Sequence, residues 1–199
     1  MVRPSIKELQ WQVREDAIAD AAHELIGQQG YADMSMDDLA SRLGISKATL
    51  YQHFPSKEDV AIRVIVRLMR RGEELLRQVD PAKPAIEGIG HWLQRGLEIR
   101  VGTPTQGMHL MPLSVKRHPL YQEQDERMYA LVSALIDRAK AEGDAAPEII
   151  TGVAARVMMG LFRGDYDEFV RNAGHSREAV AATLTALVVD GLRTRSMES

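Results

Sequence analysis

Ser35-Met36-Asp37-Asp38-Leu39-Ala40-Ser41-Arg42-Leu43-Gly44-Ile45-Ser46-Lys47-Ala48-Thr49-Leu50-Tyr51-Gln52-His53-Phe54 is the stretch from which the fold is read. Ser35 and Ser46 each precede a short helical pattern, and Gly44 stands between the two. A serine hydroxyl at a helix start accepts a hydrogen bond from a backbone N–H that has no partner within the helix. Glycine just past a helix end takes the left-handed conformation without a Cβ penalty. The reading is a helix, a turn through Gly44 and a second helix. Leu39, Ala40, Leu43, Ile45, Leu50 and Phe54 then fall on the inside and hold the two helices at a fixed angle. Ser46, Lys47, Ala48, Thr49, Gln52 and His53 are left outside, and they are small, polar or basic.

Working outward, Ile18, Ala21, Ala22 and Leu25 recur at i, i+3, i+4 and i+7, which predicts a helix from Lys7 to Gln29 that stops at Gly30. Ser56 is a third cap, and Ser35 and Ser56 each have an acid three residues on, like capping boxes with Asp in place of Glu. Ser56 opens a longer helix to Val79, with Val60, Val64 and Leu68 along one ridge. Asp80-Pro81-Ala82-Lys83-Pro84 follows, and two prolines so close cannot continue a helix interior. The expected division is a head at residues 1–56, a linking helix at 56–79 and a body at 80–199. Five more helices are read in the body: Ala85–Arg100, Gly107–Val115, Pro119–Glu142, Pro147–Arg163 and Arg177–Thr194. Asp165-Tyr166-Asp167-Glu168 is read as a solvated acidic loop. The fold class is all-α, with about nine helices in total.

Composition agrees. The chain has 199 residues, 45% of them apolar and only 5% aromatic, which suits a helical core better than sheets. With no cysteine, disulfides and thiolate metal sites are excluded. His23, His53, His91, His109, His118 and His175 are dispersed and no pair has helical zinc-motif spacing, so neither a metal nor a cofactor is expected. No apolar run approaches the roughly 18 residues a membrane span needs, and Met1 to Gln12 has no continuous apolar stretch. A cytoplasmic protein without a membrane partner is the expectation. Net charge is −3, yet from Leu39 to Lys57 there is no acid while Arg42, Lys47 and Lys57 are basic, a locally positive patch.

The Ser35–Phe54 pattern follows the helix-turn-helix plan, whose second helix enters the DNA major groove. Ala17 to Asp59 resembles the DNA-binding head of the TetR family of bacterial regulators. Ala21-Ala22, Gly30-Tyr31, Ser35 to Ala40, Gly44 to Tyr51, His53-Phe54 and Ser56-Lys57-Glu58 carry the resemblance. Ala48 stands where the family often has Gly or Pro. The resemblance implies that Tyr51, His53 and Lys57 contact backbone phosphates, and that Ser35 and Met36 bring a helix start beside the backbone. Lys47, Thr49 and Gln52 are the candidates for base edges, by donation to guanine, methyl contact with thymine and pairing with adenine. Arg3 and Lys7 are candidates for added backbone or minor-groove contacts.

The resemblance further implies a homodimer that pairs through its last two long helices and reads double-stranded, near-palindromic operator DNA. Ile149, Ile150, Val153, Val157 and Leu161 on one helix, and Val180, Leu184, Leu187, Val188 and Leu192 on the other, are compatible with that. Gly152, Ala155 and Gly160 would permit close approach. A small-molecule effector is expected in the body, with Trp92, Met108, His109, Met111, Met128 and Met158 as its lining: an aromatic ring, adaptable thioethers and one polar handle. The expected function is a ligand-released transcriptional repressor. The alternative is a helical module that binds a small molecule or a protein and has no DNA role. No nucleophile or glycine-rich phosphate loop accompanies the acids, so no enzyme is expected.

Overall fold

The computed structural model describes residues 5–101 and 113–193. Among these it has ten helices: α1 Ile6–Asp33, α2 Met36–Leu43, α3 Lys47–His53, α4 Lys57–Arg77, α5 Ala85–Arg100, α6 Leu113–Arg117, α7 Pro119–Ala141, α8 Thr151–Leu161, α9 Asp167–Arg171 and α10 Arg177–Leu192. The described residues hold one isolated bridge, between Ala145 and Arg193, and no longer strand. None of their helices is long and apolar enough to cross a membrane.

Two compact units divide the chain. Among the described residues, one comprises 5–67 and 113–121, the other 68–101 and 122–193. The helices α1 to α4 begin at serine caps. Ser5 forms a capping box with Glu8, Ser35 forms one with Asp38, and Ser46 accepts from the Thr49 N–H. The Ser56 hydroxyl accepts from the Asp59 N–H and donates to its carboxylate. Gly30 interrupts α1 at φ 86° and ψ 161°, a conformation costly for any residue with a Cβ, so the regular helix ends at Gln29. Gly44 closes α2 in the left-handed conformation, and the Ile45 N–H bonds back to the Ala40 carbonyl. Ile18, Ala22, Leu25 and Ile26 of α1, Leu39 and Ala40 of α2, and Leu50 of α3 are buried, with α1 against α2 and α2 against α3.

The second unit has one buried cluster that includes Leu76, Ile89, Trp92, Leu93, Leu97, Met128, Val132, Ile136, Met158 and Leu192. Its α10 lies against α5. Two expectations from the sequence are corrected here. The helix expected over Pro147–Arg163 is shorter, Thr151–Leu161. The reason is that the chain before it is held by the Ala146 N–H on the Leu192 carbonyl and by a turn from Ile149 to Ala146. Ile149 and Ile150 therefore precede the helix. The stretch read as an acidic loop contains the short α9, which accounts for the tenth helix. Of the helix expected over Gly107–Val115, residues 107–112 lie outside the described residues.

Candidate nucleic-acid interface

The candidate interface centres on α3. Ser46 fixes its start, with the serine and Thr49 hydroxyls 2.8 Å apart. Leu50 is fully buried and turns the helix so that Lys47, Ala48, Tyr51 and Gln52 are exposed and Thr49 is half-buried. A seven-residue helix has too few internal hydrogen bonds to persist alone, so its position depends on this packing.

Each predicted contact residue has a definite setting. Lys47 Nζ is 2.5 Å from an Asp37 carboxylate oxygen. Lys57 Nζ donates to the Ala32 carbonyl at 2.8 Å and sits 4.5 Å from the centre of the Tyr31 ring. Burial, and secondarily the Glu58 charge, push the Tyr31 phenol above its ordinary pKa, so it stays neutral at physiological pH. Ser35 spends its polar groups on the α2 cap: its hydroxyl donates to Asp38 at 2.6 Å and accepts the Asp38 N–H at 3.1 Å. The bond from the Ser35 hydroxyl, and then one from the Ser35 N–H at 3.0 Å, hold the Asp38 carboxyl below the usual carboxylate range. Lys7 is exposed, and Arg3 lies outside the described residues.

Two side chains depart from the sequence reading. His53, expected outside, is only 8% exposed. Its ring lies under the indole of Trp11, with centroids 3.9 Å apart. Met36 is also buried, so only its backbone is available beside a ligand. The reason in both cases is amphipathic spacing: Met36 joins Leu39 and Ala40 on the inner face of α2, and His53 follows Leu50 by one turn. Trp11 itself was missed. Its signal was available, because Trp11 precedes Ile18 by seven residues and so extends the apolar stripe of α1.

Acid–base pairs tie α1 to the first part of α4. Arg63 faces Glu15 at 3.4 Å and Asp16 at 3.5 Å. Arg67 faces Asp20 at 3.0 Å and donates to the Asp16 carbonyl at 2.9 Å.

In the second unit, the predicted effector residues Trp92, Met128 and Met158 belong to the same buried cluster. The Trp92 indole N–H donates to the Gly72 carbonyl at 3.1 Å, and its ring meets Phe162 at 5.1 Å between centroids. Met108, His109 and Met111 lie outside the described residues. Sequence reading overlooked Gln124, one turn before Met128 and fully buried. Its amide donates to Glu73 at 2.6 Å and its carbonyl accepts from Arg127 at 2.9 Å. Among the described residues there is no cluster of His, Asp or Glu suited to a metal ion.

Comparison with known proteins converges on this arrangement. Residues 18–64 match the family model described as bacterial regulatory proteins, tetR family. The transcriptional regulator EthR of Mycolicibacterium smegmatis is 29% identical over 192 residues, covering 90% of this chain and 86% of that protein. The transcriptional regulator UidR of Escherichia coli is 25% identical over 189 residues, covering 90% and 92%. The fold matches the solved structure of the ketosteroid transcriptional regulator KstR2 of Mycobacterium tuberculosis with a TM-score of 0.68, at 15% identity and over 92% of this chain and 96% of that one. The chain belongs to the TetR family of bacterial regulatory proteins, and it is a DNA-binding transcriptional regulator.

Proposed function

We propose that this chain acts in the cytoplasm as a homodimeric repressor that grips a near-palindromic operator through α3 and lets go when a small apolar molecule enters its second unit. The observation that carries the reading is the division of α3: Leu50 is fully buried while Lys47, Ala48, Tyr51 and Gln52 face out from a serine-capped helix start. Lys47, Thr49 and Gln52 read base edges, Ala48 and Ser46 allow close approach, and Tyr51 and Lys57 hold phosphates. Ser35 and Met36 act by presenting the backbone at the α2 start. His53 acts from beneath Trp11, at the edge of the surface.

Residues 1–56 form the DNA-binding head, the helix from 56 to 79 links it to the rest, and residues 80–199 bind the effector and the second subunit. Trp92, Met128 and Met158 line the effector site. Two-fold pairing uses α8 and α10, where Val153, Val157 and Leu187 are large apolar side chains left exposed. An effector shifts the balance only by binding the released state more tightly than the DNA-bound state.

Titration of the full chain with duplexes enriched from a random pool, and with a random duplex, tests the reading. Expected is a preference for the enriched duplex, symmetric half-sites within it, and affinity that falls steeply with salt. A chain that retains no duplex at low salt would overturn it.

A further inference from the structure

We propose that Trp11 is a positioning residue for DNA binding: its indole covers His53 and, through Glu15 and Arg63, ties the C-terminal end of α3 to α4. Four observations within the first unit carry this. The Trp11 and His53 rings approach to 3.9 Å between centroids, inclined at 36°. The Trp11 N–H donates to a Glu15 carboxylate oxygen at 2.8 Å. That carboxylate also faces Arg63 of α4, at 3.4 Å. Finally, the buried Nδ1 of His53 has no hydrogen-bond partner among the described residues.

The last point separates positioning from ordinary packing. A buried ring nitrogen without a partner is costly, and among the described residues nothing polar orients the imidazole through that atom. The ring packs instead against Trp11. His53 is the last residue of α3, a helix too short to fix its own direction. Ser46 anchors one end, and the Trp11–His53 contact anchors the other. Trp11 is itself 42% exposed, while Ile6 and Val13 beside it point mostly to solvent. A residue that served only the core would be covered. Here the indole closes over a neighbour and leaves its other surface open.

The link also has a direction. Asp16 and Asp20 hold Arg63 and Arg67 in the same row, so the first part of α4 and α1 are joined at several points. Each such surface pair contributes little alone, but the row gives a displacement of Arg63 a defined recipient, Glu15, and beyond it the indole.

The proposal rests on α3 as the DNA-reading helix. Its test uses the full chain with a duplex enriched on the wild type. Trp11→Ala is expected to weaken that duplex about tenfold, the upper range for an aromatic pair, with the thermal midpoint moved by only a few degrees. Trp11→Phe keeps a ring over His53 and should recover most of the loss. Glu15→Ala leaves the indole in place but unlocked, and a loss of about threefold is expected. Trp11→Ala combined with His53→Ala should be no weaker than the weaker single variant, because both remove the same contact. Wild-type affinity in Trp11→Ala, no rescue by Phe, or losses that multiply in the double variant would each overturn the proposal while α3 remained the reader. A wild type that binds no duplex would remove that reading, and the proposal with it.

Discussion

Lys47 Nζ lies 2.5 Å from Asp37 Oδ1, so the first residue of α3 is paired with an acid at the start of α2. Both side chains are more than half exposed, and such a pair contributes little to folding. With Lys47 in its proposed place on the DNA, the pair's effect on binding should be larger, since Asp37 offsets the Lys47 charge and repels phosphate. Asp37→Asn should tighten binding to random duplex several-fold and steepen the salt slope by about one. Affinity for the enriched duplex should rise less, so specificity falls. Titrations at several salt concentrations check this, and an unchanged random-duplex affinity would place Lys47 away from the DNA.

Lys57 is preorganised by the Ala32 carbonyl and the Tyr31 ring. Lys57→Ala should weaken enriched and random duplexes alike and lower the salt slope by about one. Tyr51→Phe removes only a neutral hydroxyl from an exposed ring and should weaken both duplexes with the slope unchanged. A slope unaffected by Lys57→Ala would remove that lysine from the phosphate contacts.

Helix starts and stops were legible because they depend on single residues. Ser35, Ser46 and Ser56 cap where their spacing predicts, and Gly30 and Gly44 take the positive φ that only glycine adopts cheaply. Side-chain exposure on a short helix was less legible. His53 has a polar name, but its place one turn after Leu50 puts it inward, and the cover comes from Trp11, 42 residues earlier in the chain. That pairing depends on tertiary contact and has no local signal. Gln124 is a similar case: nothing nearby in sequence announces that Glu73 and Arg127 satisfy a buried amide. The start of α8 was misplaced because the bond from Ala146 to Leu192 outweighs the helix tendency of Pro147 to Ile150.

The Glu73 carboxyl is held below the usual carboxylate range, first by the Gln124 amide and then by Arg77. A depressed folded-state pKa stabilises the fold above the unfolded value of about 4.3, and that gain is lost as pH falls through the folded value. Glu73→Gln should therefore lower the thermal midpoint at pH 7, by about 2–4 °C for a cost near 1 kcal/mol. The gap from wild type should shrink as pH falls below the unfolded value and through the lower folded one. Thermal unfolding at pH 7, 5 and 3.5 tests the sign, and a gap independent of pH would assign the loss to packing alone.

Trp92 is 1% exposed and stands between the Gly72 carbonyl and the Phe162 ring. Trp92→Ala should cost about 3–5 kcal/mol of stability through the cavity it leaves. Trp92→Phe keeps most of the volume but loses the indole N–H bond to the Gly72 carbonyl, at about 1 kcal/mol. Operator binding by the folded Phe variant should match wild type, while release by the effector is impaired. Operator binding lost by that variant without effector would make Trp92 a residue of the scaffold and not of the effector site.

Leu187 is 70% exposed on α10, while Leu184, one turn earlier, packs partly against the core of its own unit. The two residues separate subunit pairing from folding. An obligate interface often buries more than about 2,000 Å² of mainly apolar surface, and Val153, Val157 and Leu187 are the exposed side chains suited to its centre. Leu187→Glu should give a folded monomer by sedimentation, with an α-helical spectrum close to wild type. Leu184→Glu introduces a charge at the core as well and should lower the thermal midpoint in addition to disrupting the dimer. Val157→Glu, on α8, should act like Leu187→Glu, because the proposed pairing uses both helices. Operator affinity in the monomers should fall sharply, since one head then grips a single half-site without the gain from tethering two. A Leu187→Glu chain that sediments as an intact dimer would move the interface away from α8 and α10.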